Sequence, residues 1–220
     1  MNPKKLKERK ARVTKLDRAL KNLFPKAKIE LNFKNPLELL VAVQLSAQCT
    51  DKMVNRIAEK LFKKYRKLED YVRADPREFE QDIRSCGYYR SKTKNILGMA
   101  KMLKKEFGGK VPRTMKEMLR LPGVARKTAN VVLAEAYGVV EGITVDTHVI
   151  RFVKRFNLSD YSQPSKIERD LMLIVLKEEW PYFTHRVIHY GRYLAPARTY
   201  EISKDPLLKI YPKAAKIFRI

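Results

Sequence analysis

The sequence predicts an all-α protein, and three observations carry that reading. Apolar residues recur at helical spacing along most of the chain. Asn-Pro and Asp-Pro pairs, with Thr or Ser three residues before Glu, punctuate it as helix starts. No stretch shows sustained period-2 alternation or a two-residue hairpin turn of the Asn-Gly type. With 220 residues, 45% of them hydrophobic, the chain can bury a core as one large domain or two small ones.

Taken in order, Met1 to Lys28 is basic throughout, with Leu16, Leu20 and Leu23 as a weak helical stripe. It reads as a helix docking on the body after a frayed start; its composition equally permits a disordered basic arm. Asn35-Pro36 with Glu38 is an N-cap, a first-turn proline and a capping-box acid ahead of Leu37, Leu39, Leu40, Val41 and Val43. That helix is apolar nearly all round and belongs at the centre of its domain. Val54, Ile57, Ala58, Leu61, Phe62 and Tyr65 then share one helical face, with Thr50 or Asp51 as the cap.

Asp75-Pro76 opens a short helix that Gly87 should close. Ser91 starts the next, with Ile96, Leu97, Ala100 and Leu103 inward and Gly108-Gly109 as its stop. Thr114 with Glu117 and Ser165 with Glu168 have capping-box spacing, and Asp205-Pro206 begins the last helix.

The charge is lopsided, with 48 Lys and Arg against 24 acids and a formal net charge of +24. Such a field attracts polyanions: nucleic acid first, an anionic membrane second, with a merely soluble lysine-rich surface as the alternative. The longest apolar stretches, Leu39 to Val43 and Leu171 to Leu176, fall far short of the ~20 residues a membrane span needs. No apolar core of a signal peptide is visible at the N-terminus. Cys49 and Cys86 make neither a disulfide framework nor a CxxC metal site, which suits a reducing, intracellular setting. His148, His185 and His189 do not have metal-site spacing and read as core or cap residues.

Leu121-Pro122-Gly123-Val124-Ala125-Arg126-Lys127 lies between two helical patterns. A short apolar turn of this kind brings backbone N–H groups and a positive helix start to the surface, which suits a phosphate. Val124 packs inward and Gly123 supplies the unusual backbone angles, although an ordinary helix–helix corner has the same spacing. Lys127 falls in the first turn of the following helix, where the dipole disfavours a cation; burial in a cleft would add to that and free the amine as a nucleophile. By spacing alone it is equally a solvated or phosphate-contacting lysine. Asp146 reads as the N-cap of the helix carrying Val149, Ile150 and Val153. The helix after Lys127 runs roughly 18 Å and the return to Val145 can span roughly 23 Å, so Asp146 can come back beside Lys127.

These segments carry a resemblance. LPGVARKTANVVL at Leu121 to Leu133 and VDTH at Val145 to His148 resemble the helix–hairpin–helix and Gly/Pro-Asp signature of the endonuclease III family. ELNF at Glu30 to Phe33, LSAQCTD at Leu45 to Asp51 and HYGRY at His189 to Tyr193 follow in that family's order. The resemblance implies a DNA glycosylase with strand-nicking (AP lyase) activity on duplex DNA, acting as a monomer in the cytoplasm on nucleoid DNA. It implies a six-helix lobe at residues 29–140 and a second lobe joining residues 1–28 to 141–220, with the active cleft between them.

It also assigns roles. Lys127 attacks the sugar C1′ of an extruded nucleotide and forms a Schiff base; Asp146 deprotonates it or stabilises the developing positive charge; β-elimination then cuts the strand. Leu121, Gly123, Val124, Ala125 and Arg126 form the phosphate-binding turn, and Gln48 and Tyr88 fill the gap left by the extruded base. Two departures stand out. Ala125 occupies the place of a second glycine, which matters only if that residue needs a positive φ. The four cysteines that hold a [4Fe–4S] cluster in most members are Ala195, Ile202, Asp205 and Tyr211 here, so no cluster is expected, with Leu207, Leu208, Ile210, Tyr211, Ala214 and Ile217 packing in its stead. The substrate class implied is oxidised pyrimidines. A mismatch thymine or uracil glycosylase is the alternative within the superfamily, and a non-catalytic DNA-binding protein the alternative outside it.

Overall fold

The computed structural model describes residues 2–197 and 199–217. The last three residues of the expected second lobe, 218–220, lie outside the described residues. Every regular element among the described residues is helical, as the sequence predicts. The chain divides into two compact units, Glu30–Glu141 on one hand and Met1–Ile29 with Gly142–Ile220 on the other.

In the continuous unit, α2 (Pro36–Ser46) is the buried helix, with Leu39, Leu40, Val41, Ala42 and Leu45 fully inaccessible. Asn35 caps it by accepting from the Glu38 N–H at 2.9 Å, and Glu38 accepts from the Lys34 N–H at 2.7 Å. The box therefore closes one residue earlier than its standard form. Against α2 pack α3 (Asp51–Lys64), capped by Thr50, and α6 (Tyr89–Glu106), and on α6 pack α4 (Leu68–Arg73) and α5 (Pro76–Asp82), capped by Asp75. Tyr65, Tyr71 and Phe79 interlock at one end, with ring centroids 5.1 and 5.2 Å apart for the two pairs that Tyr65 makes. Burial pushes the Tyr65 hydroxyl up to about 12, and its bond to Asp82 adds to this.

Two expected boundaries shift. Helix α5 ends at Asp82, well before Gly87, and α6 starts at Tyr89 instead of Ser91. The reason is Tyr88, which caps α6 in the left-handed region at φ 59 with no side-chain cap bond, a conformation its residue type does not announce.

In the other unit, α1 (Pro3–Leu23) packs with α10 (Pro164–Ile174) and α11 (Trp180–His189), and α9 (Thr147–Arg155) packs on both of those. The N-terminal segment is thus an ordered helix from Pro3, capped by Asn2. Its buried stripe is Val13, Leu16 and Leu20, while Leu23 is exposed. Arg9 is the tether at its start, buried and bonded to Asn157 and to Asp160 at 2.6 Å. Ser165 does not cap α10, because Gln163 and Pro164 already place it inside the first turn. Asp205-Pro206 opens a 3-10 turn (Pro206–Lys209) followed by another (Pro212–Lys216), in place of an α-helix.

Candidate active site and nucleic-acid interface

The turn at Leu121–Ala125 is built from both ends. Helix α7 (Met115–Met118), capped by Thr114, leads into it, and the Leu121 N–H donates to the Met118 carbonyl. The Val124 N–H then donates to the Leu121 carbonyl at 3.1 Å, closing the turn. Leu121 and Val124 are buried and anchor it; Gly123, Ala125 and Arg126 are exposed.

Gly123 adopts φ +73, and a β-carbon there would lie 2.7 Å from Asn95 Cβ and 2.9 Å from Gln44 Oε1. Only glycine meets both conditions. Ala125, by contrast, sits at φ −93 and ψ 171, ordinary extended backbone, so its methyl group costs nothing. It caps α8 (Arg126–Tyr137) without offering a side-chain acceptor to the first-turn N–H groups. Helices α2 and α3 differ, each having a side-chain oxygen on that task, whereas α6 shares the uncapped start. The positive end of α8 is accordingly left to an acceptor from outside the turn.

Lys127 is the second residue of α8 and is exposed. The side chain is not buried in a cleft, contrary to the expectation of a desolvated lysine, and stands at the positive start of α8. In the other unit Asp146 is the N-cap of α9, half-buried, its Oδ1 accepting from the Val149 N–H at 2.9 Å. Arg151 lies on the same helix and donates to the Gly191 and Ala195 carbonyls at 3.1 and 2.9 Å. Burial holds its guanidinium below the usual arginine range; Arg155 pushes the same way, while the nearby Asp146 charge opposes the shift.

A match to the family model described as "HhH-GPD superfamily base excision DNA repair protein" spans residues 41–177, taking in the turn, Lys127 and Asp146. The chain belongs to that superfamily. Among its relatives, endonuclease III of Bacillus subtilis is 46% identical over 196 residues, covering 89% of each chain. Endonuclease III of Synechocystis is 43% identical over 211 residues, covering 96% of each. A solved structure of a trapped covalent endonuclease III–DNA intermediate superposes with a TM-score of 0.90 at 44% identity, covering 96% of this chain and 99% of that one. The chain is thus an endonuclease III homologue of the HhH-GPD superfamily.

In this HhH-GPD chain the other two expected DNA-contacting residues stand close together. Gln48 and Tyr88 are both exposed and both in the left-handed region, at φ 54 and 59. Their two turns meet: a β-carbon on Gly87 would lie 3.5 Å from the Gln48 carbonyl oxygen. Two non-glycine residues held there cost on the order of 1–2 kcal/mol each, a strain that marks a site the surrounding structure over-determines.

The residues standing where most relatives have cluster cysteines do not make a ligand set. Ala195 is buried apolar core, Ile202 is partly exposed, and Tyr211 lies beneath the Arg12 guanidinium at 4.1 Å. Asp205 is buried and fully engaged. Its Oδ2 accepts from the Tyr190 and Tyr200 hydroxyls and its Oδ1 from the Leu207 N–H. Arg155 stacks over Tyr200 at 4.1 Å and closes the network. Burial, reinforced by the Asp205 charge and bond, pushes both tyrosine hydroxyls well above their ordinary range. No group of three or more His, Cys, Asp or Glu among the described residues could hold a metal ion, and no described helix is long and apolar enough to cross a membrane.

Sequence reasoning had not named Gln44, Asn95 or Lys92. Gln44 and Asn95 hold the Gly123 turn, with Gln44 Nε2 donating to the Pro122 carbonyl at 3.4 Å. One signal existed for Lys92, which stands four residues before Ile96 on the stripe read as inward. A lysine in that register has to be buried, and it is.

Proposed function

We propose that this chain is a bifunctional base-excision-repair glycosylase and AP lyase acting on oxidised pyrimidines in duplex DNA. What carries the reading is Lys127, placed in the second position of a helix start that has no side-chain cap, in a chain homologous to endonuclease III. On this reading the first-turn N–H groups of α8 and the Gly123 turn hold a backbone phosphate, and Gln48 and Tyr88 occupy the space of the extruded base. Lys127 attacks C1′, the base leaves, and the Schiff base formed undergoes β-elimination. Asp146 acts as the base or the counter-charge to the developing cation. The two compact units take the parts of the family's six-helix and second lobes.

We further infer that the protein works without an iron–sulfur cluster, in the cytoplasm and on nucleoid DNA. The whole chain holds two cysteines, where a [4Fe–4S] cluster takes four thiolates, and Asp205 is committed to its hydrogen bonds. No step of the reaction needs the cluster. A panel of duplexes carrying oxidised pyrimidines, thymine or uracil mismatches, or abasic sites, treated with borohydride, tests the reading. Covalent trapping and base release on the oxidised set are expected; release confined to mismatches would transfer the assignment to the thymine/uracil class, and binding without trapping would leave a DNA-binding protein only.

A further inference from the structure

Beneath the turns that carry Gln48 and Tyr88 lie the only two thiols of the chain. Cys86 is fully buried and Cys49 half-buried, and the backbone meets between them, where a β-carbon on Gly87 would lie 3.5 Å from the Gln48 carbonyl oxygen. A buried ammonium adjoins Cys86: Lys92 Nζ donates to Cys86 Sγ at 2.9 Å and to the Leu45 carbonyl at 2.8 Å. The Cys86 thiol also donates to that carbonyl, at 3.1 Å. Leu45 is in the last turn of α2, where carbonyls lack partners within the helix, and these two donors supply one. A lysine charge is costly to bury, so its placement against a sulfur and a carbonyl has to be accounted for.

We propose that Cys49 and Cys86 are a peroxide-responsive thiol pair whose disulfide ties the Gln48 turn to the Tyr88 turn and turns off base excision. The regulatory half of this rests on the reading given under Proposed function. Cys49 is the thiol that reaches solvent, so it meets the oxidant: its sulfur attacks one peroxide oxygen, the O–O bond breaks, and the products are a Cys49 sulfenic acid and water. The Cys86 sulfur then attacks the Cys49 sulfur, and the sulfenic oxygen leaves as a second water with the Cys86 proton. One peroxide is reduced by two electrons and two thiols are oxidised to one disulfide. Lys92 Nζ, bonded to Cys86 Sγ at 2.9 Å, holds in place the sulfur that makes this attack.

Burial pushes the Cys49 thiol up, the neighbouring Cys86 adds to this, and the Lys92 charge works the other way. The first step should therefore quicken as pH rises. The bridge would join two residues that each adjoin a left-handed turn residue, or lie within two positions of one, so it stiffens the very backbone that has to adjust to an opened base stack.

The test uses the intact protein and hydrogen peroxide. After oxidation and alkylation, the expected product is a monomer lighter by about 2 Da, with both thiols blocked and one peptide pair linking Cys49 to Cys86. Excision should fall about tenfold to a hundredfold and return with dithiothreitol, on the scale of a misplaced binding element. Cys49→Ser should keep its activity through the same treatment. Sulfinate on Cys49 with Cys86 still alkylatable, or a Cys49-linked dimer, would overturn the pair; an intramolecular bridge with unchanged excision would overturn its regulatory role. Should the reduced protein excise nothing, the functional reading fails, while the peptide map still decides the bridge.

Discussion

Gly123 and Asn95 stand so close that a β-carbon on the glycine would lie 2.7 Å from that of the asparagine. The contact comes from α6 and holds the turn that precedes Lys127. Gly123→Ala meets both this overlap and the cost of a left-handed alanine, about 2–4 kcal/mol together. Denaturant unfolding should show that loss, and affinity for undamaged duplex should fall with it. A neutral Gly123→Ala would mean that the turn relaxes freely.

Lys127→Gln should abolish borohydride trapping, because an amide cannot form a Schiff base. Duplex binding should largely persist, since the turn backbone is untouched. Retained trapping would point to another amine as the nucleophile.

Asp146→Asn should separate folding from chemistry. Asparagine caps as well as aspartate, so the Val149 N–H keeps its acceptor and the melting temperature should move little. Base release should slow by a factor on the order of 100 or more, as the counter-charge is lost. Equal loss of stability and activity would make Asp146 a cap and nothing else.

Asp205→Ala removes the acceptor of the buried Tyr190 hydroxyl and of the half-buried Tyr200 hydroxyl and should cost about 2–4 kcal/mol, whereas Asp205→Asn, which keeps acceptor and cap, should cost less. Chelators should leave the stability of the native protein unchanged, and the purified protein should be colourless. Stoichiometric iron would refute the cluster-free reading.

Salt and pH probe the surface. If ~5 phosphates are neutralised, log K against log salt should slope near −4 to −5. Separately, the Arg9 bond, helped by Lys5, holds Asp160 below its ordinary value of 3.8. The stabilisation it brings is present above that value and is lost as pH falls through the lowered one. Asp160 is half-exposed, so the amount is about 0.5–1 kcal/mol, and Asp160→Asn should flatten the acid limb of a melting curve by that much.

The amino-acid sequence by itself determined the helical class, the Gly123 turn and the caps at Asn35, Asp75, Thr114 and Asp146, and narrowed that of α3 to Thr50 or its neighbour Asp51. Each cap is a bond between residues three apart, and a short stretch of chain contains both partners. Only the tertiary structure decided the features whose partners lie far away in sequence. Tyr88 starts a helix from a left-handed angle where its turn meets the one bearing Gln48. Lys92 is buried because the Leu45 carbonyl and Cys86 receive it, and Asp205 serves as a polar hub because Tyr190, itself bonded by Arg155, reaches it from another element. Ser165 had the spacing of a cap but not the position, since Gln163 and Pro164 had already begun the helix. Local hydrogen bonds follow from local order; what a side chain faces across a core is set by the packing of every other element.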